Sequence, residues 1–180
     1  MSRVNLDISK TSTQSRELMS QIHKAFGASP NMFKAVANSP AALKSMWAAF
    51  GALGSGVIPA VLGEKIAVAI ANRNRCEYCL AAHTVLGKGA GATAEDMAEA
   101  QAGRSQDPQT AAAITFALKV VSDRAQVGEA DIATLRAAGF DDEHIVEILA
   151  HIALNLFTNY VNVAFDIPVD FPKVALSSAG

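Results

Sequence analysis

The stretch Asn74-Arg75-Cys76-Glu77-Tyr78-Cys79-Leu80-Ala81-Ala82-His83-Thr84-Val85-Leu86-Gly87 holds both cysteines of the 180-residue chain and one of its four histidines. Read as a helix, it has a start and a stop. Asn74 suits the N-cap, with Glu77 three residues on at capping-box spacing, and Gly87 suits the end. Cys76 then falls in the first turn and Cys79 just beyond it. The spacing is i,i+3 from Cys76 to Cys79 and i,i+4 from Cys79 to His83. All three share one helix face, with neighbouring Cβ atoms roughly 5–6 Å apart. That arrangement fits a redox pair with a base beside it. The helix N-terminus and Arg75 both favour a thiolate.

The segment just before it, Pro59 to Arg73, is apolar nearly all round, which predicts deep burial. Glu64 and Lys65 interrupt it. A carboxylate is costly to bury unless it is paired. A helical hairpin over residues 59–87 would fold Glu64 against the face carrying His83 and the cysteines. There it would orient His83 or relay a proton through water, the logic of nucleophile, base and orienter.

The rest of the chain carries the same helical signals. Residues 1–11 read as polar and extended. Leu18, Ile22, Ala25 and Phe26 recur at helical spacing over Thr13–Phe26, and Gly27 ends that helix. Met32, Phe33 and Val36 form a short apolar turn. Ser39-Pro40 opens a helix carrying Leu43, Met46, Trp47 and Phe50, which dissolves at Gly51, Gly54 and Gly56. Trp47, Phe33 and Phe50 read as core. Gly87, Gly89 and Gly91 read as a flexible link. Thr93 with Asp96 caps a short helix to Ala102, and Asp107-Pro108 opens a long one through Arg124. Glu129 to Ala138 follows, ended by Gly139. Asp141 caps the last helix, which runs towards Phe165, and Pro168 and Pro172 make the tail (about 167–180) non-helical. No segment alternates as a strand does. The expected fold is all-α, a single compact domain over residues 1–180 with seven to nine helices.

Residues 64–83 have an echo further on. Glu64, Asn72, Cys76, Cys79 and His83 are matched in spacing by Glu147, Asn155, Asn159, Asn162 and Asp166, as in a degenerate helical repeat or by chance.

Composition narrows the function. A formal net charge of −2, with no basic patch, argues against nucleic-acid binding. No apolar run reaches the ~18 residues of a membrane span, and the first residues lack the apolar core of a signal peptide. A cytoplasmic protein is expected. Two cysteines this close in such a chain point to reactive or metal-binding use rather than a structural staple. Zinc would take Cys76, Cys79 and His83, with a fourth ligand such as Glu64. Both thiols could also be inert core residues, and Glu64 a surface residue paired with Lys65 or Arg73. Tyr78 reads as packing or as a proton donor. His23, His144 and His151 read as structural or exposed. A thioredoxin fold is disfavoured, since no βαβ pattern surrounds the cysteines.

The array Glu64-X11-Cys76-X2-Cys79-X3-His83 resembles the signature of the AhpD-like alkylhydroperoxidases, within the carboxymuconolactone decarboxylase superfamily. The text around it is similar to the subgroup called uncharacterised peroxidase-related proteins. The similarity takes in Ser29-Pro30-Asn31, Ser39-Pro40, the core from Leu62 to Gly87, and Ala153 to Tyr160. This resemblance implies an all-helical, homo-oligomeric protein, often a trimer or hexamer. It implies thiol peroxidase activity with no resident cofactor. By position, Cys79 would be the peroxidatic cysteine and Cys76 the resolving one, with His83 and Glu64 in the proton relay. A dihydrolipoyl group on a partner protein reduces the disulfide in characterised members. The sequence departs from their pattern at Tyr78, where they carry a histidine. The expected activity is reduction of a hydroperoxide. Disulfide reductase chemistry, or a non-enzymatic redox-sensing or zinc-binding role, stands as the alternative.

Overall fold

A computed structural model describes residues 2–177, and its described residues form nine α-helices. They are α1 (Thr13–Phe26), α2 (Asn31–Val36), α3 (Pro40–Leu53), α4 (Ala60–Arg73), α5 (Glu77–Gly89), α6 (Ala94–Gln101), α7 (Pro108–Ser122), α8 (Glu129–Ala137) and α9 (Asp142–Ala164). A 3-10 turn, Ile8–Lys10, precedes them. No strand occurs among the described residues. The tail from 167 to 177 is non-helical, and residues 178–180 of the expected tail lie outside the described residues.

The start signals act as the residue chemistry dictates. Ser12, Ser39, Thr93, Asp107 and Asp141 each accept a hydrogen bond from the backbone N–H three residues on. Thr93 and Asp96 complete a reciprocal capping box.

The apolar interior is built as two clusters. One joins Met19 and Ile22 of α1, Phe33 of α2, Leu43 and Met46 of α3, and Val68 of α4 to the start of α5. The other joins Ile66 and Ile70 of α4 to Ile114, Leu135, Ile148 and Ile152 from α7, α8 and α9. Helix α4 feeds both, which is why it is apolar on nearly every side. Ile66 and Ile70 are fully buried, each worth roughly 1.5–3 kcal/mol in transfer free energy.

Some boundaries differ from the sequence expectation. Asn74 does not cap α5; it terminates α4, and the chain turns through Arg75, whose φ of 56° lies in the left-handed region. Cys76 is the N-cap instead, in extended conformation. Cys79 therefore lies in the first turn. Helix α5 also continues through Gly87 to Gly89, so the flexible link is shorter than expected. Gly87 is buried in a helix–helix contact: a Cβ there would lie 2.6 Å from Met97 Sδ and 3.3 Å from Glu64 Cβ. Helix α3 likewise runs past Gly51 to Leu53. The N-terminal segment is not merely polar, since Val4, Leu6 and Ile8 pack against the first cluster.

Helix α9 runs unbroken over 23 residues, so the turn between α4 and α5 has no second copy. The echoing positions meet instead of repeating. Asn74 Nδ2 donates to Asn159 Oδ1 (3.1 Å), and Asn162 Nδ2 donates to Cys79 Sγ (3.1 Å). Glu147 caps the entry to α4, accepting from Val57 N (3.0 Å) and Ile58 N (2.8 Å). A Cβ on Gly56 would fall 2.2 Å from Glu147 Oε1. Gly56→Ala is therefore expected to cost about 1–3 kcal/mol. A lower urea midpoint at unchanged slope would show it.

Candidate active site

The α4–α5 hairpin sets the site. Its two helices run back to back, and Glu64 Oε2 meets His83 Nδ1 at 2.8 Å. Both side chains are largely buried. Lys65, the other charge on α4, points elsewhere and pairs with Asp96 at 2.6 Å. The alternative in which Glu64 is a surface residue paired with Lys65 or Arg73 thus fails, because His83 takes the carboxylate. With Nδ1 engaged, the imidazole presents Nε2 as its working nitrogen.

At the other end of the same helix face, both cysteines are free thiols and buried. Cys79 N donates to Cys76 Sγ at 3.3 Å, so Cys76 occupies the helix N-terminus, where anions are favoured. The Cys76 thiol is shifted to lower pKa, first by a hydrogen bond from the Cys79 side chain, working against its burial. Burial pushes the Cys79 thiol well above the ordinary range; the neighbouring Cys76 adds to this, and Asn162 and Thr158 partly oppose it. Of the pair, then, Cys76 is the more acidic thiol and Cys79 the less acidic. Arg75 donates to Ser177 O (2.8 Å), which ties the tail to the start of α5.

Three cavities surround the pair. One of about 40 Å³ touches Cys79 and is walled by Phe33, Phe50, Tyr78, Leu86 and Phe171, with His83 at its edge. Phe33 and Phe50 are thus core residues that also wall this cavity. A second, of about 160 Å³, is lined by Glu64, His83, His151, Asn155 and Thr158 among apolar walls. A third, of about 270 Å³, reaches Cys76 between Arg75, Glu77, Asn162 and Asp166. The two cysteines therefore border different spaces, Cys79 an apolar one and Cys76 a polar one. Among the described residues, no group of three or more His, Cys, Asp or Glu side chains is placed to hold a metal ion. The zinc alternative lacks a convergent ligand set.

Tyr78 is a clamp. Its Oη accepts from Met32 N at 3.2 Å, and its ring meets Phe171 edge-on. Burial raises its pKa strongly, and neighbouring Asp170 adds to this, so it is a poor proton donor. Tyr78→Phe would leave the Met32 N–H buried without a partner. Stability is expected to fall by about 1–3 kcal/mol, with thiol reactivity within about twofold of the parent. Denaturant melts and a thiol-oxidation assay read the two separately.

Sequence reasoning read His151 as structural or exposed, placed Asn155 and Asn162 only in the spacing echo, and passed over Thr158. A signal existed: Asn155, Asn159 and Asn162 recur at i,i+4 and i,i+3 over the largely apolar C-terminal half of α9. All three are buried, which is expensive for amides with no task.

Residues 40–123, from the start of α3 to the end of α7, match the model of the carboxymuconolactone decarboxylase family. The matched segment spans a little under half of the 180-residue chain. It contains the whole α4–α5 hairpin and so Glu64, Cys76, Cys79 and His83. A search of curated proteins finds no match. Solved structures extend the likeness over nearly the whole chain. An AhpD-core, uncharacterized peroxidase-related protein from Ralstonia eutropha JMP134 superposes with a TM-score of 0.85 at 25% identity, covering 94% of this chain and 92% of that one. An uncharacterized peroxidase-related protein from Silicibacter sp. TM1040 gives 0.81 at 23% identity, covering 97% and 92%. The debrominase Bmp8 gives 0.74 at 20% identity, covering 88% of this chain and 87% of that one. The fold is thus AhpD-like throughout, and the part outside the family segment supplies α9 with its asparagines.

Proposed function

We propose that the protein is a cysteine-based peroxidase that reduces organic hydroperoxides. The observation that carries this reading is the 2.8 Å Glu64–His83 pair, formed between α4 and α5 with His83 one helical turn from Cys79. His83 removes the Cys79 proton, and the thiolate attacks the terminal peroxide oxygen. The O–O bond breaks, and the alcohol leaves with the proton carried by His83. Cys79 becomes a sulfenic acid. Cys76 attacks that sulfur, water leaves, and the pair ends as a disulfide. An external dithiol returns both to thiols by exchange. The polar cavity at Cys76 offers that reductant an approach apart from the apolar cavity at Cys79. A dihydrolipoyl group on a partner protein is our candidate reductant.

The apolar stripe on α9 supports a homo-oligomer, a trimer or hexamer by family resemblance. Val146, Leu149, Tyr160 and Val163 are exposed there. Among the described residues no helix is long and apolar enough to cross a membrane, and we place the enzyme in the cytoplasm.

The test is time-resolved titration of free thiols after one equivalent of an organic hydroperoxide. Rapid loss of both thiols without crosslinking between chains is expected. Thiols that survive intact would sink the peroxidase reading and favour disulfide exchange, which a model disulfide would then reveal.

The ring-lined cavity at Cys79 favours a second reading, reductive removal of halogen from an aromatic ring. There the two thiols supply two electrons, halide and a proton leave, and the disulfide forms. Bromide release from a bromopyrrole by the reduced protein distinguishes it.

A further inference from the structure

The cavity beside the Glu64–His83 pair has two features that the thiol chemistry leaves unused. The first is its size and walls. Its volume of about 160 Å³ lies between Phe50, Leu53, Ile58 and Leu154. An apolar cavity of about 150 Å³ is enough to admit benzene. The second is a pair of buried polar atoms on its lining residues with no partner. Asn155 spends Nδ2 on His151 O (2.9 Å), and its Oδ1 is left without a hydrogen bond. His151 Nε2 is also unpartnered, since Glu147 Oε1 lies 3.8 Å away, beyond hydrogen-bond reach. Buried acceptors left unpaired are rare and costly. The residue carrying this one is 5% exposed and opens on a space the size of an aromatic ring.

We propose that this cavity binds a compact, ring-sized organic molecule carrying one O–H or N–H donor. The donor is given to Asn155 Oδ1, and the ring lies against Phe50 and Leu154. His151 Nε2 reads a second polar group on the ligand edge. Burial disfavours the charged imidazole here, so the site selects a neutral ligand over an anion. His83, Thr158 and Phe50 also border the cavity at Cys79. A ligand seated here therefore lies next to the reacting sulfur without touching it. The proposal stands on the cavity and its orphan acceptor and holds whether or not the thiols reduce peroxide.

Phenol and toluene are the probes. They share a shape, and only phenol donates. Each is titrated into the reduced full-length protein by calorimetry, with methyl NMR shifts of Ala67 and Leu154 locating the site. Phenol is expected to bind saturably at about 1 mM or tighter, and toluene at least about tenfold more weakly. Asn155→Leu should erase that preference by lowering phenol to the toluene level, with circular dichroism checking the fold. Equal affinity for the two probes in the parent protein would overturn the proposal. So would an absence of saturable binding, or shifts that map away from Ala67 and Leu154. None of these readouts uses peroxide or thiol turnover, so failure here leaves the peroxidase reading untouched, and the reverse holds.

Discussion

Cys79→Ser is expected to lower hydroperoxide consumption by more than about 10³-fold, whereas Cys76→Ser should still consume one equivalent and stop at a sulfenic acid. The two thiols present a real choice. Acidity alone selects Cys76, which sits at the helix N-terminus and has the lowered pKa. Position selects Cys79. It shares a cavity wall with His83, it faces apolar rings suited to an organic peroxide, and Asn162 Nδ2 lies 3.1 Å from its sulfur to hold a thiolate. Burial keeps the resting Cys79 protonated, so the reaction depends on a base at the moment of attack. Trapping with a sulfenic-acid reagent after one equivalent of hydroperoxide reads the outcome directly. The reverse pattern, with Cys76→Ser inactive and Cys79→Ser active, would move the nucleophile to the N-cap.

His83→Ala is expected to slow the first oxidation about 10²–10⁴-fold, the usual range for a positioned base. Glu64→Gln should fall short of that, because it leaves the imidazole in place and removes only its orienting charge. The pH dependence separates a chemical role from a structural one. Without His83, Cys79 must ionise unaided. Its pKa is raised by burial above the ordinary thiol value, so the variant's rate should climb only into the alkaline range. Single-turnover rates against pH would show that displacement. A His83→Ala profile that is lower but not displaced would mean that the imidazole only supports the packing of α4 on α5.

Local chemistry in the sequence determined the helices. Capping residues at Ser12, Ser39, Thr93, Asp107 and Asp141, and apolar periods of 3.6 residues, are short-range signals that tertiary contacts did not override. The array of Glu64, Cys76, Cys79 and His83 was legible for the same reason. Three of its members lie within eight residues on one helix, and the fourth lies one hairpin away. Glycines misled where packing outweighed their freedom. Gly87 reads as a stop, yet it is buried because α6 and the Glu64 stem press against it. Tyr78 stayed ambiguous in sequence, since only the fold brings Met32 and Phe171 to it.

Tertiary structure alone decided what long-range contact creates. Asn162 on the Cys79 sulfur and Glu147 capping α4 come from α9, more than 80 residues from the atoms they serve, and α9 also brings His151 and Asn155 to the cavity beside Glu64 and His83. Their spacing along α9 shows that they are buried amides and imidazoles, but not against what. The two thiol acidities were decided the same way. Residues three apart in sequence have opposite shifts because the Cys76 sulfur accepts hydrogen bonds from the Cys79 side chain and then from backbone N–H groups at the start of α5, whereas Cys79 is sealed beneath the packed helices. A sequence places charges along a chain, whereas a pKa depends on the solvent and dipoles that folding removes or brings near.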